Sequence, residues 1–141
     1  MRMFQKLVSP ARWSADATDY ASLILRLTLG LLMLNHGYPK LMKLMSGNMQ
    51  FADPIGIGEP ASLVLTVFAE FVCSLLILVG LWTRLALMPL IITMVVAVGI
   101  IHINDGMDKQ EHGLMFLLPY IALFFLGSGK FSIDAFLKKE A

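Results

Sequence analysis

The chain is poor in cysteine, in charge and in catalytic signatures. Cys73 is the only cysteine among 141 residues, so there is no Cys-x-x-Cys pair and no intramolecular disulfide. A four-helix thiol oxidoreductase working alone is thereby excluded. Lying in an apolar stretch, Cys73 reads as a small hydrophobe. There is no glycine-rich phosphate loop, no Ser-His-Asp arrangement and no dinucleotide fingerprint. Neither His-Glu-x-x-His nor Glu-x-x-His occurs, and no two histidines stand four residues apart. Charged residues make up 15% of the chain, against ~25% in soluble domains. The net charge of +1 gives no reason to expect a nucleic-acid partner. No internal repeat or low-complexity segment is seen.

What the chain has instead is hydrocarbon. It is 57% hydrophobic, with a mean hydropathy of +0.75. The excess lies in four blocks, 21–41, 61–82, 85–103 and 112–127. Their lengths match the ~20 residues needed to cross a bilayer core at ~1.5 Å per residue. The expectation is an all-α membrane protein: a single domain over 1–141, a bundle of four transmembrane helices running up-down-up-down. The first block is not read as a cleavable signal, because a polar lead precedes it and His36-Gly37-Tyr38-Pro39-Lys40 follows it in place of a small-residue cleavage site. The lead, Met1 to Ser14, is basic and carries Met3, Phe4, Leu7, Val8 and Trp13. It reads either as a surface-lying segment or as a tail with a Trp anchor.

Cation placement predicts orientation. Arg2, Lys6, Arg12, Arg84, Lys130, Lys138 and Lys139 fall on one side, and Lys40, Lys43 and Lys109 on the other. This bias puts both termini in the cytoplasm and the loops 42–60 and 104–111 outside. Asp16 or Thr18 is expected to cap the first helix and Pro39 to help end it. Gly47, Pro54, Gly56, Gly58 and Pro60 mark 42–60 as irregular. Gly80 to Arg84 reads as a tight turn, and Phe131 to Ala141 as a short amphipathic one. Pro89 and Pro119 lie within spans, where they favour kinks or cavities.

Charges inside the blocks are the sharpest functional signal. Arg26 and Glu70 each cost at least ~2.5 kcal/mol at a helix centre, so the chain is expected to pair them or to line a wet cavity with them. Arg26, Gly30, Met33, Gly37 and Lys40 form one helical stripe, and Thr66, Glu70, Cys73 and Ile77 another. An axial offset of roughly six residues, ~9 Å, separates Arg26 from Glu70, within reach of a long side chain directly or through water. Two readings stay open: a buried ion pair that orients the bundle, or a cavity-lining pair that binds or relays something. His36, Glu70, His102, Glu111 and His112 all fall in the outer half. A metal or haem would draw on His36, His102 and His112, but the missing ligand-spacing motifs argue for no metal.

Four segments in order carry a family resemblance: His36 to Leu41, Ala69-Glu70, Leu78-Val79-Gly80-Leu81-Trp82-Thr83-Arg84-Leu85, and Gly127-Ser128-Gly129-Lys130-Phe131-Ser132-Ile133-Asp134. Over roughly 20–135 the chain resembles the DoxX family of small four-helix proteins of the prokaryotic inner membrane. The resemblance implies an association with redox metabolism. The related DoxD is a subunit of a thiosulfate:quinone oxidoreductase, and some DoxX proteins associate with oxidative-stress enzymes. It also maps recurrent polar positions onto Arg26, His36, Lys40, Glu70, Arg84 and Glu111.

Three functions compete. The first is a redox-associated membrane subunit that binds a quinone-like or other small lipophilic ligand in an outward-facing pocket of Arg26, His36, Lys40, Glu70, His102 and Glu111. Its electron-carrying partner would be a separate protein. The second is a non-catalytic scaffold that recruits an envelope enzyme, and the third a small transporter, which at four spans would need a homo-oligomer. No cofactor beyond a quinone is expected.

Overall fold

The computed structural model describes residues 14–140, and the basic lead falls outside them, apart from Ser14. Among the described residues all regular structure is helical. Helix α1 is Ala15–Met45, α2 is Glu59–Val79 and α3 is Thr83–Ile101. Helix α4 is Met107–Leu126 and the short α5 is Ile133–Glu140. Helices α1, α2 and α3 are long and apolar enough to cross a membrane. The fourth apolar block lies in α4, whose first turns carry Asp108, Lys109, Glu111 and His112.

The four long helices pack in a ring, α1 on α2, α2 on α3, α3 on α4 and α4 back on α1. Leu29, Met33, Ile77, Leu87, Leu90, Tyr120 and Leu123 fill its centre. The α1 stripe faces inward, with Arg26, Gly30, Met33 and Gly37 all buried. Gly37 is needed for the approach of α1 to α2. A Cβ there would stand 2.7 Å from the carbonyl carbon of Glu70, too close for any neighbour of fixed backbone.

Two local expectations fail. Neither Asp16 nor Thr18 caps α1. Ser14 does, its hydroxyl accepting from the Ala17 N–H at 3.3 Å. Pro39 does not end α1 but sits inside it. A membrane helix tolerates an interior proline where neighbouring groups take up the freed backbone, and helical bonding resumes beyond it, Ser46 N–H reaching Met42 O at 3.0 Å. Lys40 is therefore held on a helix rather than in a loop. The 46–58 connection is irregular, as expected, but organised by Asp53. Its carboxylate accepts from the N–H groups of Ile57 and Gly58 and from the Ser62 hydroxyl, each at 2.9 Å.

Two helices contain π-helical turns, Phe68–Cys73 in α2 and Ala97–Ile101 in α3. Each inserts a residue into the helical ladder, locally widening it, and such turns collect at functional sites. At the opposite end of the bundle, Gly80 closes α2 with φ +72°, where a Cβ would come within 2.6 Å of Arg26 Nη1. The segment after α4 folds back beneath this turn. Asp134 accepts from the N–H groups of Trp82 at 2.7 Å and Thr83 at 3.1 Å, capping α3, and returns its own N–H to Gly80 O at 2.9 Å.

Candidate functional site

Arg26 is 1% exposed, and its guanidinium is spent on backbone. It donates to the carbonyls of Ser128, of Phe131 at 2.7 Å and of Leu78 at 3.5 Å. Ser22 adds a bond to Gly127 O at 2.6 Å. The fork thus ties α1, the end of α2 and the segment after α4 into one knot, a use that suits five fixed donors. The expected Arg26–Glu70 pair is not formed. Gly37 lies level with Glu70, and Arg26 stands 11 residues back along the same helix, ~16 Å away, not the ~9 Å inferred from span ends. Arg84, a second position of the family pattern, caps α4 instead, donating to Phe124 O at 3.1 Å.

The partner of Glu70 is Lys40. Its ammonium meets the Glu70 Oε2 carboxylate oxygen. Glu70 is 4% exposed, while the Lys40 side chain keeps 29%. The geometry follows from two backbone facts already described: the helix continues past Pro39, and the π turn of α2 sets Glu70 against Gly37. The pair borders a cavity of about 180 Å³ that is also lined by His36, His102, Lys109 and His112, with Met33, Phe116 and the π-turn residue Ala97. Four of the six anticipated site residues therefore meet here: His36, Lys40, Glu70 and His102. Arg26 lies at the far end, and Glu111 is exposed and does not line this cavity.

The histidines divide. His36 and His112 bring their Nε2 atoms to 3.2 Å across α1 and α4, and both rings meet Phe116 edge to face, at centroid distances of 5.7 Å. His102 turns Nδ1 to Asp105 at 2.7 Å. That hydrogen bond, with Lys109 nearby, holds the Asp105 carboxyl below the usual carboxylate range. Among the described residues, no three His, Cys, Asp or Glu side chains are grouped to hold a metal ion.

Sequence reading missed several residues. Lys109 and Phe116 carry no motif, and Tyr120 lies behind Phe116, ring centroids 6.0 Å apart. Tyr120 is fully buried, with a hydroxyl that finds no partner. The proline-rich signal in 42–60 gave no hint that Asp53 anchors the loop. An aspartate between turn residues and a helix start was the available clue.

A second cavity of about 320 Å³ adjoins the first and shares Lys40, Glu70, Ala97 and His102 with it. Its other walls, from α2, α3 and the Asp53-anchored loop, are mostly apolar, with Ser62, Thr66 and Thr93 among them.

A chain whose described residues form only helices and their connections, with three helices of spanning length and apolarity and a half-buried ion pair among them, is a membrane protein. The DoxX family model matches residues 21–103, more than half of the chain, and the chain belongs to the DoxX family. Among its relatives is an uncharacterized membrane protein of Mycobacterium tuberculosis, Rv3486, 33% identical over 143 aligned positions that cover 83% of this chain and 81% of the relative. No solved structure matches the chain.

Proposed function

We propose that this protein is a four-span subunit of the prokaryotic inner membrane, associated with redox metabolism, that binds a small quinone-like or other lipophilic ligand in the polar cavity. In this reading the helices run up-down-up-down with both termini cytoplasmic, and the cavity opens toward the outer face. The observation that carries it is the Lys40–Glu70 pair. A charge pair at bundle depth is costly, and this one borders an open volume instead of being packed over. Lys40 has three N–H donors and gives one to Glu70. The others are free to bind a head-group oxygen. His36 and His112, already sharing a hydrogen bond, supply a place for a proton beside it. A separate protein would carry the electrons, because no redox motif occurs in this chain.

Quinone extracted with the purified protein and quantified by mass spectrometry tests this. Wild type is expected to retain it, and Lys40→Met and Glu70→Gln to lose it. An empty wild type together with an envelope protein that co-purifies reproducibly would favour the scaffold reading. The observation on that side is the loop 46–58, which Asp53 organises while leaving Met49, Ile55 and Ile57 exposed.

A further inference from the structure

Two apolar grooves adjoin the polar cavity, one on each side. The first is the 320 Å³ space between α2 and α3, continuous with the polar cavity at Lys40, Glu70 and His102. The second, about 480 Å³ between α1 and α4, meets it at His36 and His112. They differ in how their walls are made. The α1–α4 groove is floored by Ile24, Leu32 and Met115, each more than half exposed; Leu65 and Ile92 of the α2–α3 groove are exposed to the same degree, and what sets that groove apart is its loop. The α2–α3 groove is roofed by Phe51, Pro54, Ile55 and Ile57, on the loop that Asp53 ties to the start of α2.

The hydroxyls of the residues lining the α2–α3 groove all have partners within the protein. Thr66 donates to Ser62 O at 2.7 Å, Thr93 to Pro89 O at 2.8 Å, and Ser62 to Asp53. Both threonine hydroxyls are therefore spent on their own helices. What remains is a mostly apolar groove, roofed by the loop, open on its side at Leu65 and Ile92, with ionisable groups only at Lys40, Glu70 and His102. This is the pattern of a site for an amphiphile: mostly apolar walls with a few convergent polar groups.

We infer that the ligand carries a single hydrocarbon chain, and that the chain lies in the α2–α3 groove beneath the 51–57 loop while an acceptor head group sits on Lys40. The inference rests on the proposed function and deepens it by naming the shape of the ligand and its path. The molecule enters sideways from the bilayer between α2 and α3, head first, so the aqueous side need never be open to it.

Two photoreactive benzoquinones, incorporated with the full-length protein into phosphatidylcholine nanodiscs, test this. One carries an azide on the ring and no side chain, the other a decyl chain with a diazirine at its middle. The ring probe is expected to label peptides containing His36 or Lys40, and the chain probe peptides containing Leu65, Ile92 or Val96. Thr93→Trp, which fills the groove, should reduce chain-probe labelling about tenfold while leaving ring-probe labelling unchanged. Ile92→Trp, a second bulky change in the same groove at a side chain that is 59% exposed, should reduce chain-probe labelling likewise and keeps the test valid if the Thr93 variant fails to fold; Leu32→Trp, in the α1–α4 groove, should match wild type in both. Chain labelling on Leu32 or Met115, or spread evenly over lipid-facing residues, overturns the inference and leaves the proposed function standing if the ring probe still labels the cavity. Loss of ring labelling in wild type overturns both.

Discussion

Lys40 reaches Glu70 from the turn after Pro39, and Gly37, one turn before Lys40, packs against the Glu70 backbone. The pair and the close approach are one device. The glycine brings α1 against the π turn of α2, and the lysine neutralises the carboxylate which that turn buries. Removing the cation leaves the carboxylate stranded. Losing one partner of a fully buried pair costs about 3–5 kcal/mol, and partial exposure of Lys40 places this case near the low end. Lys40→Met is expected to destabilise the protein by about 2–3 kcal/mol, and Lys40→Met/Glu70→Gln by clearly less. Unfolding in mixed micelles measures both.

Arg26 is energetically separate from Glu70. Its bonds go to carbonyls of Leu78, Ser128 and Phe131, so Arg26→Ala and Glu70→Ala should be additive within about 0.5 kcal/mol. Arg26→Lys should rescue little, because an ammonium cannot span three carbonyls held by a planar fork. A double-mutant cycle in the same assay gives the coupling, and a large coupling would restore the direct pair that the geometry denies.

Gly37→Ala should separate α1 from α2 at the level of the site, costing about 1–3 kcal/mol, the usual scale of overpacking. Gly99→Ala is the control, because a Cβ there meets nothing within 4 Å. If Gly37→Ala also empties the protein of ligand while Gly99→Ala does not, helix approach and binding are linked.

The 46–58 loop should loosen in acid. The Gly58 N–H above all, then the Ser62 hydroxyl and the Ile57 N–H, hold the Asp53 carboxyl below its ordinary value of 3.8. A depressed folded-state pKa gives stability that is fully present above the unfolded value and is lost as pH falls through the folded one. Proteolytic protection of the loop should therefore be constant above about pH 5 and fall below about pH 4. Asp53→Ala should be loose at every pH.

Orientation is open to labelling. Cysteines placed at 44–58, in a Cys73→Ala background, should react with a membrane-impermeant maleimide in intact cells, and cysteines in Ile133–Glu140 should not. The reverse pattern would invert the bundle and put the cavity on the cytoplasmic side.

Sequence alone was enough for the class and for much of the local order. Helical periodicity and hydropathy are properties of neighbouring residues, so α2 and α3 emerged within a few residues of their observed bounds, while α1, Ala15–Met45, runs past both ends of the apolar block 21–41. The inward face of α1 at Arg26, Gly30, Met33 and Gly37 could be read directly, and so could the irregularity of the loop before Glu59. Partnerships could not be read this way. Arg26 binds a carbonyl 102 residues away, on a segment that had to fold back under the α2–α3 turn. Glu70 chose Lys40 because Pro39 failed to end its helix and because a π turn set the register of α2 against α1. Those outcomes depend on relative rotation and axial shift between helices, and a shift of one helical turn moves a side chain by ~5.4 Å, more than an ion pair can span. Only the packed bundle decides that register, and with it which charges meet.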